Sequence, residues 1–148
     1  MKYYNNKRIF HDGIGFRSKD EIHFWNWCKN KKAKGEIINF EYEPDKFEIM
    51  PSFRFGEQLI RAISYKPDFK VYCNDGTVKY YEIKGVLTNE ATLKVKLFKY
   101  FLFKNNPELK YQMIKRSLKY GNIDGEFIDY DEYNAIKRKE KREKVKPD

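Results

Sequence analysis

Tyr65-Lys66-Pro67-Asp68-Phe69-Lys70-Val71-Tyr72-Cys73-Asn74-Asp75-Gly76-Thr77-Val78-Lys79-Tyr80-Tyr81-Glu82-Ile83-Lys84-Gly85 reads as two β-strands and the turn between them. The runs 67–73 and 78–84 are rich in Val, Tyr, Phe and Ile, which suit a pleated surface, and Asn74-Asp75-Gly76 is a turn signal. Pro67 has no N–H to give to a ladder, so it belongs at the start of the first strand, at an edge or bulge. Side chains alternate faces along a strand, which puts Glu82 and Lys84 on one side and Ile83 on the other. Turn length then decides where Asp68 goes. A three-residue loop, a type I turn with Gly76 left-handed as a bulge, closes Cys73 on Thr77 and pairs residues whose numbers sum to 150. Asp68 then lies opposite Glu82, with side-chain bases ~4.5–5.5 Å apart. A two-residue Asp75-Gly76 turn would shift the sum to 151, face Asp68 with Ile83 and take its carboxylate away. The three-residue loop is the favoured arrangement.

Upstream, Ser18-Lys19-Asp20-Glu21 fits a capping box, with Ser18 capping the Glu21 amide and Glu21 reaching back to the Ser18 amide. It opens a helix over 18–34, with Ile22, Trp25, Cys28 and Lys29 at helical spacing and Gly35 as its stop. Residues 37–42 and 47–50 alternate like strands and read as a hairpin bent at Glu43-Pro44-Asp45-Lys46. Downstream, Leu93, Leu97, Tyr100 and Phe101 repeat at three and four residues, predicting an amphipathic helix over about 90–105. A late strand at 109–114, a small one at Phe127-Ile128 and a final helix capped by Asp131 and running into Lys146 complete the pattern. Residues 1–17 show no periodicity and read as an irregular N-terminal arm. The expected fold class is α/β, a mixed central β-sheet flanked by helices, with one domain at 18–136 and a basic tail at 137–148.

A chain of 148 residues suits one domain. Lys and Arg number 31 against 22 Asp and Glu, a net charge of +9, so a polyanionic partner is expected, nucleic acid first. The tail contributes seven basic and three acidic groups, so most of the excess lies elsewhere. The 12 Phe, 12 Tyr and 2 Trp at helical or strand spacing read chiefly as core. Cys28 and Cys73 are too far apart for a zinc motif, and His11 and His23 complete none. The start lacks an apolar run of signal length and no stretch is long enough to span a membrane, so a reducing cytoplasm is the expected setting.

Asp68 directly opposite Glu82 places like charges together, which destabilises a sheet unless something neutralises them. A hard cation does so: Mg²⁺ takes a few carboxylates and water, and the backbone carbonyl of Ile83 is a further oxygen in reach. Pairing with Lys84 and Lys66 is the plainer alternative. Glu43 offers another carboxylate, although an exposed turn glutamate is its simpler reading. Lys94 and Lys96 on the following helix are placed either to touch phosphates or to solvate its polar face. His11 and His23 read as structural or surface residues.

Pro67-Asp68 followed on the next strand by Glu82-Ile83-Lys84, with Glu21 on a preceding helix, resembles the PD-(D/E)XK nuclease superfamily and its restriction-endonuclease-like core. Phe16-x-Ser18-x-x-Glu21, Gly35-Glu36-Ile37, Tyr65-Lys66-Pro67-Asp68-Phe69 and Glu82-Ile83-Lys84-Gly85 look like those of small phage-associated nucleases, similar to junction-resolving endonucleases and to the nuclease subunit of certain transposition systems. The resemblance spans about residues 16–104. It implies that Asp68, Glu82 and the Ile83 carbonyl hold Mg²⁺, with Mn²⁺ able to substitute. It further implies that Lys84 is the catalytic lysine and that Glu21 assists metal or water binding, a duty it would share with helix capping. The implied activity is DNA endonuclease cleavage of branched or recombining DNA such as four-way junctions, by a homodimer supplying two symmetric cuts. Lys66, Lys94, Lys96, Lys137 and Arg138 are the candidate DNA contacts. Two other readings are a non-catalytic nucleic-acid-binding module and a restriction or repair nickase on linear duplex.

Overall fold

The computed structural model describes residues 7–145. Residues 1–6 of the expected arm and 146–148 of the expected tail lie outside the described residues.

The turn at 74–76 forms as its chemistry requires. Gly76 has φ +87°, its N–H donates to Cys73 O at 3.1 Å, and Cys73 N–H donates to Thr77 O at 2.9 Å. A left-handed residue is needed at this bulge and glycine adopts it without a Cβ clash. The flanking strands β8 (Phe69–Cys73) and β9 (Val78–Ile83) pair antiparallel from Phe69↔Tyr81 to Tyr72↔Val78, the register whose numbers sum to 150.

Around them the protein is α/β, with a five-stranded mixed sheet in the order β11-β10-β9-β8-β3 and three helices among the described residues. β3 (Ile37–Tyr42) adds antiparallel to β8, while β10 (Lys110–Arg116) runs parallel to β9 and β11 (Phe127–Asp129) closes the other edge. A parallel neighbour needs a crossover, and α2 (Asn89–Asn105) supplies it between β9 and β10. Met113 and Ile114, consecutive on β10, enter different cores, so the sheet is covered on both faces. On one face α1 (Lys19–Ala33) packs Phe24 and Cys28 against Phe16, Phe69, Val71, Ile83 and Phe127. Each fully buried Phe is worth ~1.5–3 kcal/mol. On the other, Val95, Phe98 and Leu102 of α2 meet Tyr65 and Met113.

Several expectations are corrected. Residues 9–16 are not an irregular lead-in: β1 (Ile9–His11) and β2 (Ile14–Phe16) form a hairpin through Asp12-Gly13, with Phe16 fully buried. Three-residue strands are too short to show alternation. Asp12 accepts from Trp25 Nε1 at 3.0 Å and Lys29 Nζ at 2.7 Å, and His11 bonds Asn26 at 3.1 Å, tying the hairpin to α1. β3 and β4 (Phe47–Met50) exist but do not pair, because β3 joins β8 and β4 joins β7 (Ile63–Tyr65). The buried face of α2 is Val95, Phe98 and Leu102, leaving Leu93 and Tyr100 exposed. Apolar residues occur almost all round this helix, so periodicity alone could not choose the face. The final helix, α3 (Tyr130–Val145), is capped by Asp129, whose Oδ2 accepts from the Asp131 and Glu132 amides, and it runs without a break through residue 137.

Candidate functional site

The end of the sheet where β3 stops, β8 starts and β9 finishes brings the acids together. Asp68 immediately precedes β8 and is 4% exposed; its Oδ2 accepts the Ile83 N–H at 2.9 Å. The register therefore delivers Asp68 to the Glu82 end of β9, where the Ile83 N–H holds its carboxylate. Glu82 is 6% exposed. Its Oε1 lies 3.1 Å from Lys84 Nζ, while Oε2 is buried and without a hydrogen-bond partner.

Glu21 comes to the same corner from the first turn of α1. Ser18 caps the helix by accepting the Glu21 N–H at 3.2 Å, as the capping box requires. The reciprocal half differs: the Glu21 carboxylate takes the Arg17 N–H at 2.7 Å and the Tyr42 hydroxyl at 3.1 Å, not the Ser18 amide. At 3% exposure, Glu21 is thus a buried acceptor aimed at the end of β3.

Glu43 is the residue that sequence reasoning set aside. Its side chain is only 10% exposed, and Glu43, Glu21 and Asp68 each place an oxygen within 4.8 Å of the others. The reading as an exposed turn residue fails because the expected hairpin does not form. Past Tyr42 the chain instead crosses the end of β8, where Glu43 N–H donates to Asp68 O at 2.7 Å. Arg17 Nη2 stands 3.1 Å from Glu43 Oε1, which nevertheless lacks hydrogen-bond geometry, and Lys66 Nζ stands 3.4 Å from Oε2. No sequence signal short of the β3–β8 pairing would have brought Glu43 inward.

The electrostatics follow from this crowding. Burial, then the charges of Glu82 and Glu21, raise the Asp68 carboxyl well above its ordinary value, against the Ile83 N–H and Lys84. Burial also raises Glu82, opposed by Lys84, the Tyr65 hydroxyl and the backbone at Asp68. The donor set is all oxygen, with two buried carboxylate oxygens lacking hydrogen-bond partners, and it suits a hard cation rather than a soft one.

Beside the acids opens a cleft of about 580 Å³, lined by Arg17, Lys46, Lys66, Lys84 and Lys94 with Glu82 at its base. Of the candidate DNA contacts, Lys66 and Lys94 therefore reach this cleft. Lys96 does not; it lines a separate cavity with Tyr130 and Asp131. Lys137 and Arg138 sit on α3, which packs against β10 and β11, and Lys137 pairs with Glu140 at 3.3 Å. Arg17 and Lys46 were missed because only the tertiary fold brings residues 17, 46, 66 and 94 to one wall. Cys28 and Cys73 are unbridged, and burial pushes the Cys28 thiol up. No helix among the described residues is long and apolar enough to cross a membrane.

Compared with curated proteins, the chain matches none. Residues 1–122 match the family described as "Protein of unknown function (DUF1064)", and with most of its length so matched the chain belongs to the DUF1064 family.

Proposed function

We propose that the protein is a metal-dependent DNA endonuclease of the PD-(D/E)XK kind, hydrolysing phosphodiester bonds in branched or recombining DNA. The observation that carries this reading is two buried acids, Asp68 and Glu82, with Glu82 lining a cleft walled by five cations, among them Lys84 at 3.1 Å from its carboxylate. Acids buried at 4% and 6% exposure cost stability, and a cationic cleft beside them gives that cost a purpose. The restriction-endonuclease-like pattern of Tyr65–Phe69 and Glu82–Gly85 supports the same reading.

Mg²⁺, or Mn²⁺ in its place, would be held by Asp68 and Glu82 with Glu21 and Glu43 beside them. Such an ion supplies neutralisation of the scissile phosphate and a lowered pKa for bound water. Arg17, Lys46, Lys66 and Lys94 bind the flanking phosphates and hold the strand in the cleft. Lys84, drawn to Glu82 at 3.1 Å, positions the attacking water and stabilises charge that builds on the phosphorus oxygens. Tyr42 and the Arg17 amide fix the Glu21 carboxylate. A homodimer would supply the two cuts that a junction needs, and the cytoplasm is the compartment in which it would meet DNA.

The test is cleavage of a four-way junction beside linear duplex, and nicking of supercoiled plasmid, with and without Mg²⁺. Wild type should cleave only with metal, and Asp68→Ala and Lys84→Ala should each lose at least ~100-fold in rate. Equal degradation by all three proteins would mark the activity as contamination, and DNA binding without cleavage under any divalent ion would leave a binding module instead.

A further inference from the structure

The catalytic reading makes no use of a hairpin formed by β5 (Phe53–Phe55) and β6 (Gln58–Ile60), whose strands pair only with each other. Met50↔Ile63 and Phe53↔Ile60 keep one register, since three residues forward on one strand match three back on the other. The β4–β7 and β5–β6 pairs are thus two halves of one ribbon, interrupted at Pro51, which has no N–H for a ladder. The lower half is anchored: Phe47 and Tyr65 pack on Phe98 of α2, with ring centroids 5.1 and 4.4 Å away. The upper half stands in solvent, with Phe53, Phe55 and Leu59 44%, 75% and 54% exposed.

The ribbon is built to project. Its two-residue turn has Gly56 at φ +62°, the sign that the first position of a type II′ turn requires, and Arg54 donates to Glu57 O at 3.2 Å. Four residues, Gln58 to Arg61, separate the turn from Ala62, a reach of roughly 15 Å. Ala62 and Ser64 line the cationic cleft, so the ribbon rises from the cleft wall itself. Cross-strand partners share a face, which puts Phe53 and Phe55 on one side of the ribbon and Arg54 on the other. An isolated two-stranded hairpin is marginally stable in water, and apolar rings at its tip add nothing until they are covered. What covers them has to be flat, apolar and surrounded by negative charge. Arg54 and Arg61 outnumber Glu57 on the hairpin, and Lys46 and Lys66 stand at its foot. Nucleobases among phosphates meet that description.

Building on the nuclease reading, we infer that residues 51–62 form a base-stacking wedge. Phe55, with Phe53 behind it, stacks on a nucleobase left unpaired or unstacked at a branch or gap, and Arg54 and Arg61 hold the neighbouring phosphates. The wedge selects distorted DNA; the cleft cuts it.

The test measures anisotropy of a fluorescein-labelled four-way junction and of an intact duplex of equal length, in EDTA, with 2-aminopurine at the branch in a parallel sample. Wild type, Phe55→Ala and Phe55→Trp are compared, and Mg²⁺-dependent plasmid nicking is followed for each. Phe55→Ala should weaken junction binding roughly five- to hundredfold, change duplex binding less than about twofold, and abolish the 2-aminopurine response. Phe55→Trp should restore both while nicking persists throughout. Junction binding unchanged in Phe55→Ala, or weakened equally on both DNAs, overturns the wedge and leaves the cleft reading intact if nicking continues. Wild type that neither binds DNA nor nicks plasmid overturns both. Binding to phosphatidylserine vesicles that Phe55→Ala removes, with junction affinity untouched, overturns the wedge in favour of a lipid surface.

Discussion

Replacing Asp68 by Asn should stabilise the metal-free protein and remove its response to magnesium, so that adding the ion narrows or reverses the order of the two proteins. Asp68 is 4% exposed, and burial together with Glu82 and Glu21 raises its carboxyl well above the ordinary value. A carboxyl that holds its proton more tightly when folded lends full stability below its unfolded pKa, and that stability is lost as pH rises through the folded value. The ionised side chain therefore burdens the fold at neutral pH. Asn keeps an oxygen for the Ile83 N–H and nearly the same volume while removing the charge. Stabilising single substitutions commonly gain ~0.5–2 kcal/mol, and a gain of about 1–2 kcal/mol is expected in EDTA at pH 8, vanishing at pH 4 where the carboxyl is protonated in the fold. At about 2–4 °C per kcal/mol for a chain of this size, the melting temperature should rise by ~2–8 °C. Magnesium at ten times its dissociation constant should add ~1.4 kcal/mol to the wild type, ~3–6 °C, and far less to the variant. Thermal melts followed by circular dichroism, in EDTA and in MgCl₂ at both pH values, read all four quantities. A variant no more stable than wild type in EDTA at pH 8, together with equal magnesium shifts in both, would refute the idea of a frustrated acid cluster awaiting a cation.

Other consequences can be checked singly. Phe24→Ala should cost ~3–5 kcal/mol in urea unfolding, because Phe24 is fully buried between α1 and the sheet and its ring meets Phe69 at 4.7 Å. Asp129→Ala should cost ~1 kcal/mol and fray α3, which circular dichroism at 222 nm would register, since its carboxylate accepts two otherwise unpaired amides. Lys66→Ala should lower the slope of log affinity for DNA against log salt by about one, whereas Lys137→Ala, away from the cleft, should leave the slope unchanged.

The parts of the protein that were legible in advance are those with local causes. The Asn74-Asp75-Gly76 loop fixes its own φ values, and through them the register that carries Asp68 to Glu82. Ser18 caps its helix through an amide three residues away. Where two solutions fit the same local pattern, the reading went astray. The strands at 37–42 and 47–50 are neighbours in sequence and fit a hairpin, yet each pairs elsewhere, β3 with β8 and β4 with β7. On α2 the choice of face fell to the ribbon that packs Phe47 and Tyr65 on Phe98.

By itself, then, the amino-acid order determined the α/β class, the elements about the 74–76 turn, the strand register that brings Asp68 to the Glu82 end of β9 and the positive charge of the whole. Tertiary structure alone decided that Glu43 turns inward to join Glu21 and Asp68, that Arg17 and Lys46 share a cleft wall with Lys66 and Lys94, that Lys96 does not, and that Phe53 and Phe55 stay in water. The reason is range. Turn and cap energies act over three or four residues and are written in them, whereas strand partners and the burial of a given face depend on segments dozens of residues apart competing for the same surface.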